Sequence, residues 1–406
     1  MVNGKVAIFI NHQYNKISKE VFLMKKDLWL AIATLVSFTI GAGILSLPFV
    51  FSKTGFITGT INIIMLGILV IFLNLMIGEI TLRTKSIHQL SGYAGKYLGH
   101  TGKKIMLIFL LLEWYSAMIA YTIKMGQISA ELLKPFIDIS PIILSLVIVA
   151  IGSYLVYKGL ALIEKSEFWI VLLTFVLIIF IGIICLPKIN LPYLDGFQMQ
   201  NFWLPFGAVL FAFGGAGAMP EIREEIKKNL GLMKPAVIIG TTIAIIAYIL
   251  FPLFIVGVTG PNTTEEGVIG LGNLFGYKIL LLGGLFGVLT MFTSFLAIGL
   301  ALKEVFKYDC YKKTLQSSVL ACALPIVAGV TIMFLNINNA FYKVIDLSGS
   351  ILFPLTGIMF ILIYWAASKK GERKPEYSLP FKKALGIGII TIFVFGMINQ
   401  LIRIFS

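Results

Sequence analysis

Polar and apolar positions alternate along this chain on the scale of whole membrane spans. Apolar runs long enough to cross a hydrocarbon core, about 20 residues each, are separated by short segments that hold most of the charge. The runs fall near 28–51, 56–82, 105–133, 141–157, 167–186, 202–230, 235–258, 277–302, 316–335, 341–366 and 384–404. In lipid each must be helical, because the backbone has to satisfy its own polar groups within the segment. The short alternating segments of a β-barrel do not occur. The pattern therefore predicts an all-α polytopic membrane protein of about eleven transmembrane helices. Residues 1–27 are expected to form a cytoplasmic N-terminal tail, and 28–406 a single transmembrane domain. Within that domain 28–186 is one half, 202–366 a second, and 384–404 an extra helix.

Composition agrees. Of the residues, 58% are hydrophobic and 13% charged, and mean hydropathy is +0.95. A soluble domain carries about 25% charged residues. Three Cys and three His give neither a disulfide framework nor paired metal spacing. His12, His88 and His100 all lie outside the apolar runs, which removes most hydrolase and metal chemistry. Val6–Ile10 is shorter than a signal-peptide core, and Met24, followed by Lys25 and Lys26, offers an alternative start.

The net charge of +14 is distributed rather than patched. With the N-terminus in the cytoplasm, 26 of the 33 Lys and Arg fall in cytoplasmic segments. That is the positive-inside bias of a membrane protein, with the C-terminus outside. It accounts for the basic balance without nucleic acid.

Two spans carry an unusual device. The first contains Ser37-Phe-Thr-Ile-Gly-Ala-Gly-Ile-Leu-Ser-Leu-Pro48, the sixth Phe211-Ala-Phe-Gly-Gly-Ala-Gly-Ala-Met-Pro-Glu221. Gly weakens a helix and Pro removes a donor. Small residues also serve close helix packing. Yet such interruptions at corresponding positions of two halves mark a transporter site. Five spans per half is an odd number, so the halves must be inverted. An unwound segment bares N–H groups that suit a carboxylate and C=O groups that suit an ammonium or a cation.

Gly41-Ala-Gly-Ile-Leu-Ser-Leu-Pro48 resembles the first-span motif of the amino acid/auxin permease family, within the amino acid–polyamine–organocation superfamily. Phe213-Gly-Gly-Ala-Gly-Ala-Met-Pro-Glu221 resembles its sixth-span motif, and Ile119-Ala-Tyr-Thr-Ile-Lys-Met-Gly126 its third-span pattern. Lys124 departs from that pattern. The resemblance implies a leucine-transporter-like five-plus-five inverted repeat with broken helices 1 and 6. It also implies ion-coupled uptake of amino acids by alternating access. The substrate would meet Thr39, Gly41, Ala42, Gly43, Ile44, Phe213, Gly214, Gly215, Gly217 and Tyr121. The amine is expected at the carbonyls of Thr39–Ala42 and Phe213, the carboxylate at the N–H groups of Gly43–Leu45.

The third span holds the deepest charges. At 100° per residue Glu113, Ala117, Ala120, Lys124, Gln127 and Glu131 share one face. Glu113 lies roughly 13–14 Å beyond Lys104, near mid-depth. Glu113 and Lys124 are roughly 16 Å apart along the helix and cannot pair. A buried charge costs about 2.5–3.5 kcal/mol or more, so both are expected to face a cavity or a partner. Glu79, Glu164, Glu167 and Glu221 lie near span ends as interfacial structure. Trp29, Trp169, Trp203 and Trp365 are expected as interface anchors.

Two coupling designs are open. A sodium site would draw on the carbonyls of Ile40 and Gly43 and the hydroxyls of Thr293 and Ser294, which resemble the superfamily's paired hydroxyls. Ordinary back-bonding of those hydroxyls is the alternative. A proton design would use Glu113. Some proton-coupled superfamily members carry a Lys in the fifth span, where this chain has Thr174. Besides sodium or a proton no cofactor is expected, and the partners are an amino acid and the bilayer. The rivals are an amine or polyamine carrier, a nutrient sensor on a transporter scaffold, a channel and a membrane enzyme. The last lacks an intramembrane His.

Overall fold

The computed structural model describes residues 24–159, 164–265, 267–309 and 312–405. The tail to residue 23, Cys310 and the side chains of Glu164, Glu167 and Trp169 lie outside the described residues. Every regular element among the described residues is helical.

Helix α1 (Met24–Thr39) and α2 (Gly43–Thr54) form one span bent by 57°. Then follow α3 (Phe56–Arg83), α4 (Leu90–Leu133), α5 (Pro141–Lys158) and α6 (Glu164–Cys185). The second half begins with two seven-residue pieces, α7 (Phe206–Ala212) and α8 (Met219–Glu225). It continues with α9 (Met233–Thr259), the short α10 (Val268–Phe275), α11 (Tyr277–Glu304) and α12 (Thr314–Phe334). The last span of this half joins α13 (Ala340–Leu347) to α14 (Phe353–Lys370) through a π-helical turn, Ser348–Leu352. Helix α15 (Lys382–Phe405) closes the chain.

The eleven predicted runs map onto these elements in order, but not all are continuous. Eight described helices are long and apolar enough to cross a membrane, and the bent α1–α2 pair makes nine. The other two runs are α6, whose described apolar stretch is shorter, Leu172–Lys188, and the interrupted α7–α8 pair. Helix α4 is itself two helices meeting at Gly99, which has φ 75°.

The interrupted pieces form the centre. Helix α2 packs on α7 and α9, and α7 packs on α13 and the π-helical turn. Contact between the two interrupted spans needs glycine. A Cβ on Gly43 would stand 2.5 Å from Ala212 Cα, a separation real side chains do not adopt. Around this centre α3, α4, α9 and α11 bury one face, while Ile61, Ile64, Ile68, Leu285 and Leu289 point outward. Lipid is the solvent for such residues.

Charge ties the loops together at one end. Glu79 is expected at an interface, but the structure corrects that: its side chain is fully buried. It accepts from Arg83 (Nε 2.8 Å), Leu379 N–H (2.8 Å), Ser378 (3.1 Å) and Tyr364 (3.2 Å). A buried carboxylate is tolerable only with such partners. Nearby, the Lys96 side chain and the Lys85 N–H hold the exposed Glu372 carboxyl below the usual carboxylate range.

Candidate functional site

The helix of α1 stops at Thr39, and Ile40–Ala42 are non-helical before α2 starts at Gly43. In the sixth span the break is Phe213–Gly215, followed by a single tight turn, Ala216–Ala218. Gly41 and Gly214 thus lie inside the unwound segments. Gly43 opens the next helix, and Gly217 sits in the tight turn. The start of α2 leaves the first N–H groups, those of Gly43 and Ile44, without α-helical partners, whereas the Leu45 N–H of the expected carboxylate set already donates to the Ala42 carbonyl at 3.1 Å.

Both breaks open on one small cavity of about 30 Å³. Its walls come from α1–α2 (Phe38, Gly43), α4 (Glu113, Trp114, Ala117, Tyr121), the sixth span (Phe211, Gly214), α11 (Ile298) and the last span (Ser348, Gly349, Phe353). About 30 Å³ is one water's share of liquid volume. The space is too small for an amino acid, which enters only if these walls move apart.

The expected α4 face largely turns inward. Glu113 and Ala117 line the cavity, Ala120 is buried, and Glu113 Oε2 is buried without a hydrogen-bond partner. The face ends before Glu131, which is exposed and pairs with Lys134 at 3.8 Å. Lys124, 1% exposed, finds the partner its burial requires: Glu265 Oε2 at 3.4 Å, from the loop between α9 and α10. It also lies 4.7 Å from the Phe341 ring centroid.

The proposed hydroxyl pair divides. Thr293 donates to the Thr290 carbonyl at 3.0 Å, the back-bonded alternative. Ser294 Oγ is buried and has no such bond, and it lies against Gly41, where an added Cβ would meet it at 2.7 Å. Tyr121 Oη closes on the same glycine, 3.2 Å from that position. Ile40, Ala42 and Ile44 are all buried around it. Thr174 is buried on α6.

The breaks spend some of their own carbonyls. Thr39 O accepts the Gly41 N–H at 3.0 Å, and Phe213 O accepts the Gly215 N–H at 2.7 Å. The buried Tyr248 of α9 lies within reach of both spans: its hydroxyl is 2.7 Å from Thr39 O and 2.5 Å from Ala212 O. Its single proton serves one carbonyl at a time. The sequence reading missed Tyr248; the one Tyr of α9, in the middle of an apolar span, was the available signal. It also missed Arg223, two residues beyond the Pro-Glu motif. That side chain is buried and donates to the carbonyls of Thr84 (2.6 Å), Lys85 (3.1 Å) and Ser86 (3.0 Å). Beside it Thr34 of α1 donates to Glu225 of α8 at 2.7 Å. Lys124–Glu265 thus ties α4 to the loop after α9, while Arg223 and Thr34–Glu225 tie α8 to the 84–86 loop and to α1. Trp203 packs on Phe395 at 4.8 Å and Trp29 is exposed.

Known proteins share this sequence and shape. The model of the tryptophan/tyrosine permease family matches residues 24–403. The chain is 24% identical to tyrosine-specific transport system 1 of Haemophilus influenzae over 384 residues, 88% of this chain and 92% of that protein. It is 22% identical to glutamine transporter 2 of Aliivibrio fischeri, over 87% of this chain and 94% of that protein. The crystal structure of MhsT in complex with L-phenylalanine superposes with TM-score 0.70 at 14% identity, covering 92% of this chain and 97% of that one. That likeness shows the fold, a leucine-transporter-like inverted repeat with its first and sixth helices broken. The chain belongs to the tryptophan/tyrosine permease family: it is an amino-acid transporter of the membrane and not an enzyme.

Proposed function

We propose that the chain takes up α-amino acids, tyrosine, tryptophan or glutamine among them, by sodium-coupled alternating access at the cavity between the two breaks. The observation that carries this reading is the convergence of Gly43, Gly214 and Glu113 on one small cavity. The free N–H groups at the start of α2 suit the substrate carboxylate. The remaining lone pairs of the Thr39–Ala42 and Phe213 carbonyls suit its amine. Gly41, Gly215 and Gly217 keep the approach to the backbone open, and Ile44 and Tyr121 flank it. The relatives' names support an amino-acid substrate. The first- and sixth-span motifs support a wider kinship with the amino acid/auxin permeases and their superfamily.

For the ion, Ser294 Oγ is a buried oxygen beside Gly41 that makes no bond to its own backbone and is approached by the Tyr121 hydroxyl. Such an oxygen fits sodium. Ser294 together with the Ile40 and Gly43 carbonyls would hold the ion, with Thr293 joining if it released Thr290. The ion would fix the first break while substrate binds. The competing proton design places the titratable group at Glu113.

The positive-inside bias orients the fold with its N-terminus and Arg223 in the cytoplasm and Glu265 and the C-terminus outside. In that orientation Lys124–Glu265 closes the outer path, and Arg223 with Thr34–Glu225 closes the inner one. Transport then requires the two sets to open in turn. Counterflow tests the reading. Vesicles preloaded with labelled tyrosine or glutamine should exchange with amino acids and not with tyramine or putrescine. Equal exchange with amines would favour the amine-carrier alternative.

A further inference from the structure

The cavity contains one group that backbone recognition leaves unused. Glu113 Oε2 is buried, faces the cavity and has no hydrogen-bond partner. Its neighbour Thr356 gives its proton to the Leu352 carbonyl at 3.0 Å. An unsatisfied buried acceptor is costly, and more so if charged. Such a group is stable in a site where a ligand supplies the donor. Resting on the amino-acid reading above, we propose that Glu113 reads the end of the substrate's side chain. Its free oxygen accepts a hydrogen bond from a side-chain O–H or N–H, so donor-bearing substrates are taken in preference to their hydrocarbon counterparts.

Three observations bear on this. Glu113 lies eight residues, roughly 12 Å along α4, from Tyr121, and Tyr121 is the residue whose hydroxyl meets the first break at Gly41. A ligand whose amine and carboxylate are held at the breaks therefore offers Glu113 its side chain rather than its charged ends. The wall beside Glu113 is aromatic, made by Phe38, Trp114 and Phe353. Such a wall suits a flat side chain, and the carboxylate adds an acceptor to it. Finally, Lys124 is engaged with Glu265, so the basic residue of the same helix face is committed elsewhere.

A site built to hydrogen-bond a substrate group discriminates strongly against the analogue that lacks it. The test is competition for labelled amino-acid uptake into proteoliposomes, with tyrosine against phenylalanine and O-methyltyrosine, and glutamine against norvaline. In the wild type the donor-bearing member of each carried pair should compete at least about tenfold better. O-Methyltyrosine keeps the ether oxygen but has lost the proton, so it should rank with phenylalanine. That comparison needs no variant. Glu113→Gln keeps an acceptor and should keep the preference, whereas Glu113→Leu should bring the ratio close to one while phenylalanine or norvaline is still carried. The proposal is overturned if the wild type ranks O-methyltyrosine with tyrosine, or hydrocarbon side chains with their donor-bearing partners. It is equally overturned if Glu113→Leu keeps the wild-type ratio, which would leave side-chain selection to other residues. A wild type that carries no amino acid at all would instead refute the function on which the proposal rests.

Discussion

Tyr248 places its hydroxyl 2.7 Å from the carbonyl oxygen of Thr39, the last residue of α1 before the chain unwinds. The same hydroxyl is 2.5 Å from the Ala212 carbonyl, where α7 ends. One side chain on a continuous helix therefore bridges both interrupted spans. A hydroxyl can pass its proton between two acceptors as those spans shift, so the bridge survives small relative movement.

Replacing it tests that role. Tyr248→Phe keeps the ring and its edge-on contact with Phe213, whose centroid is 5.1 Å away. It removes the one proton that the Thr39 and Ala212 carbonyls share, at a cost of about 1–1.5 kcal/mol. Maximal uptake should fall about five- to tenfold, with the protein still inserted and folded by size-exclusion chromatography. Unchanged uptake would reduce Tyr248 to packing.

Gly43 meets backbone, not a side chain that could swing aside. A Cβ there stands 2.5 Å from Ala212 Cα, so the two breaks must separate. Gly43→Ala should lower uptake at least about tenfold, and Gly43→Val should abolish it. Gly388→Ala on α15, where an added Cβ has no neighbour within 4 Å, is the control and should leave transport intact. Initial rates in vesicles containing equal amounts of protein decide between these outcomes.

The first and sixth breaks were legible because Gly clusters followed by Pro recur at corresponding positions of the two halves; Gly283, Gly284 and Gly287, which lack that pairing, sit inside a continuous α11. Period and composition likewise exposed the α4 face, since charge inside an apolar run needs a reason. The partners of those charges were not legible. Lys124 finds Glu265 at a sequence separation of 141, and no local pattern encodes a contact between a helix and a distant loop. Glu79 looked interfacial because it lies near a span end; Tyr364 of α14 and the return of the 371–381 loop cover it. Thr293 and Ser294 are adjacent in sequence but 100° apart on the helix, so one bonds its own backbone while the other faces Gly41. Sequence alone could not say which.

That division gives a prediction for the ion. Ser294→Ala removes the buried oxygen beside the first break and should cut sodium stimulation of uptake about tenfold. Thr293→Ala removes an oxygen already bonded to Thr290 and should act less, about twofold to threefold. Equal effects, or none, would argue against a sodium site centred on Ser294. The readout is initial uptake as a function of sodium concentration.

Arg223 fastens the 84–86 loop through three backbone carbonyls. Hydrogen bonds to a charged group contribute about 1.5–3 kcal/mol. Arg223→Gln should therefore lower thermal stability in detergent by about 2–3 kcal/mol. It should also raise the labelling of a cysteine introduced at Thr34, because the contacts at that end loosen. A variant with wild-type stability and unchanged labelling would show that this end is closed by other means.

The most direct test of the account is initial uptake of labelled tyrosine, tryptophan and glutamine into proteoliposomes holding the purified protein. Sodium and proton gradients are imposed separately. The account predicts saturable uptake of at least one of these amino acids, stimulated by inward sodium and lost in Gly43→Val. Uptake driven by a proton gradient alone and indifferent to Ser294→Ala would contradict the ion assignment. Absence of amino-acid uptake under either gradient would contradict the central claim.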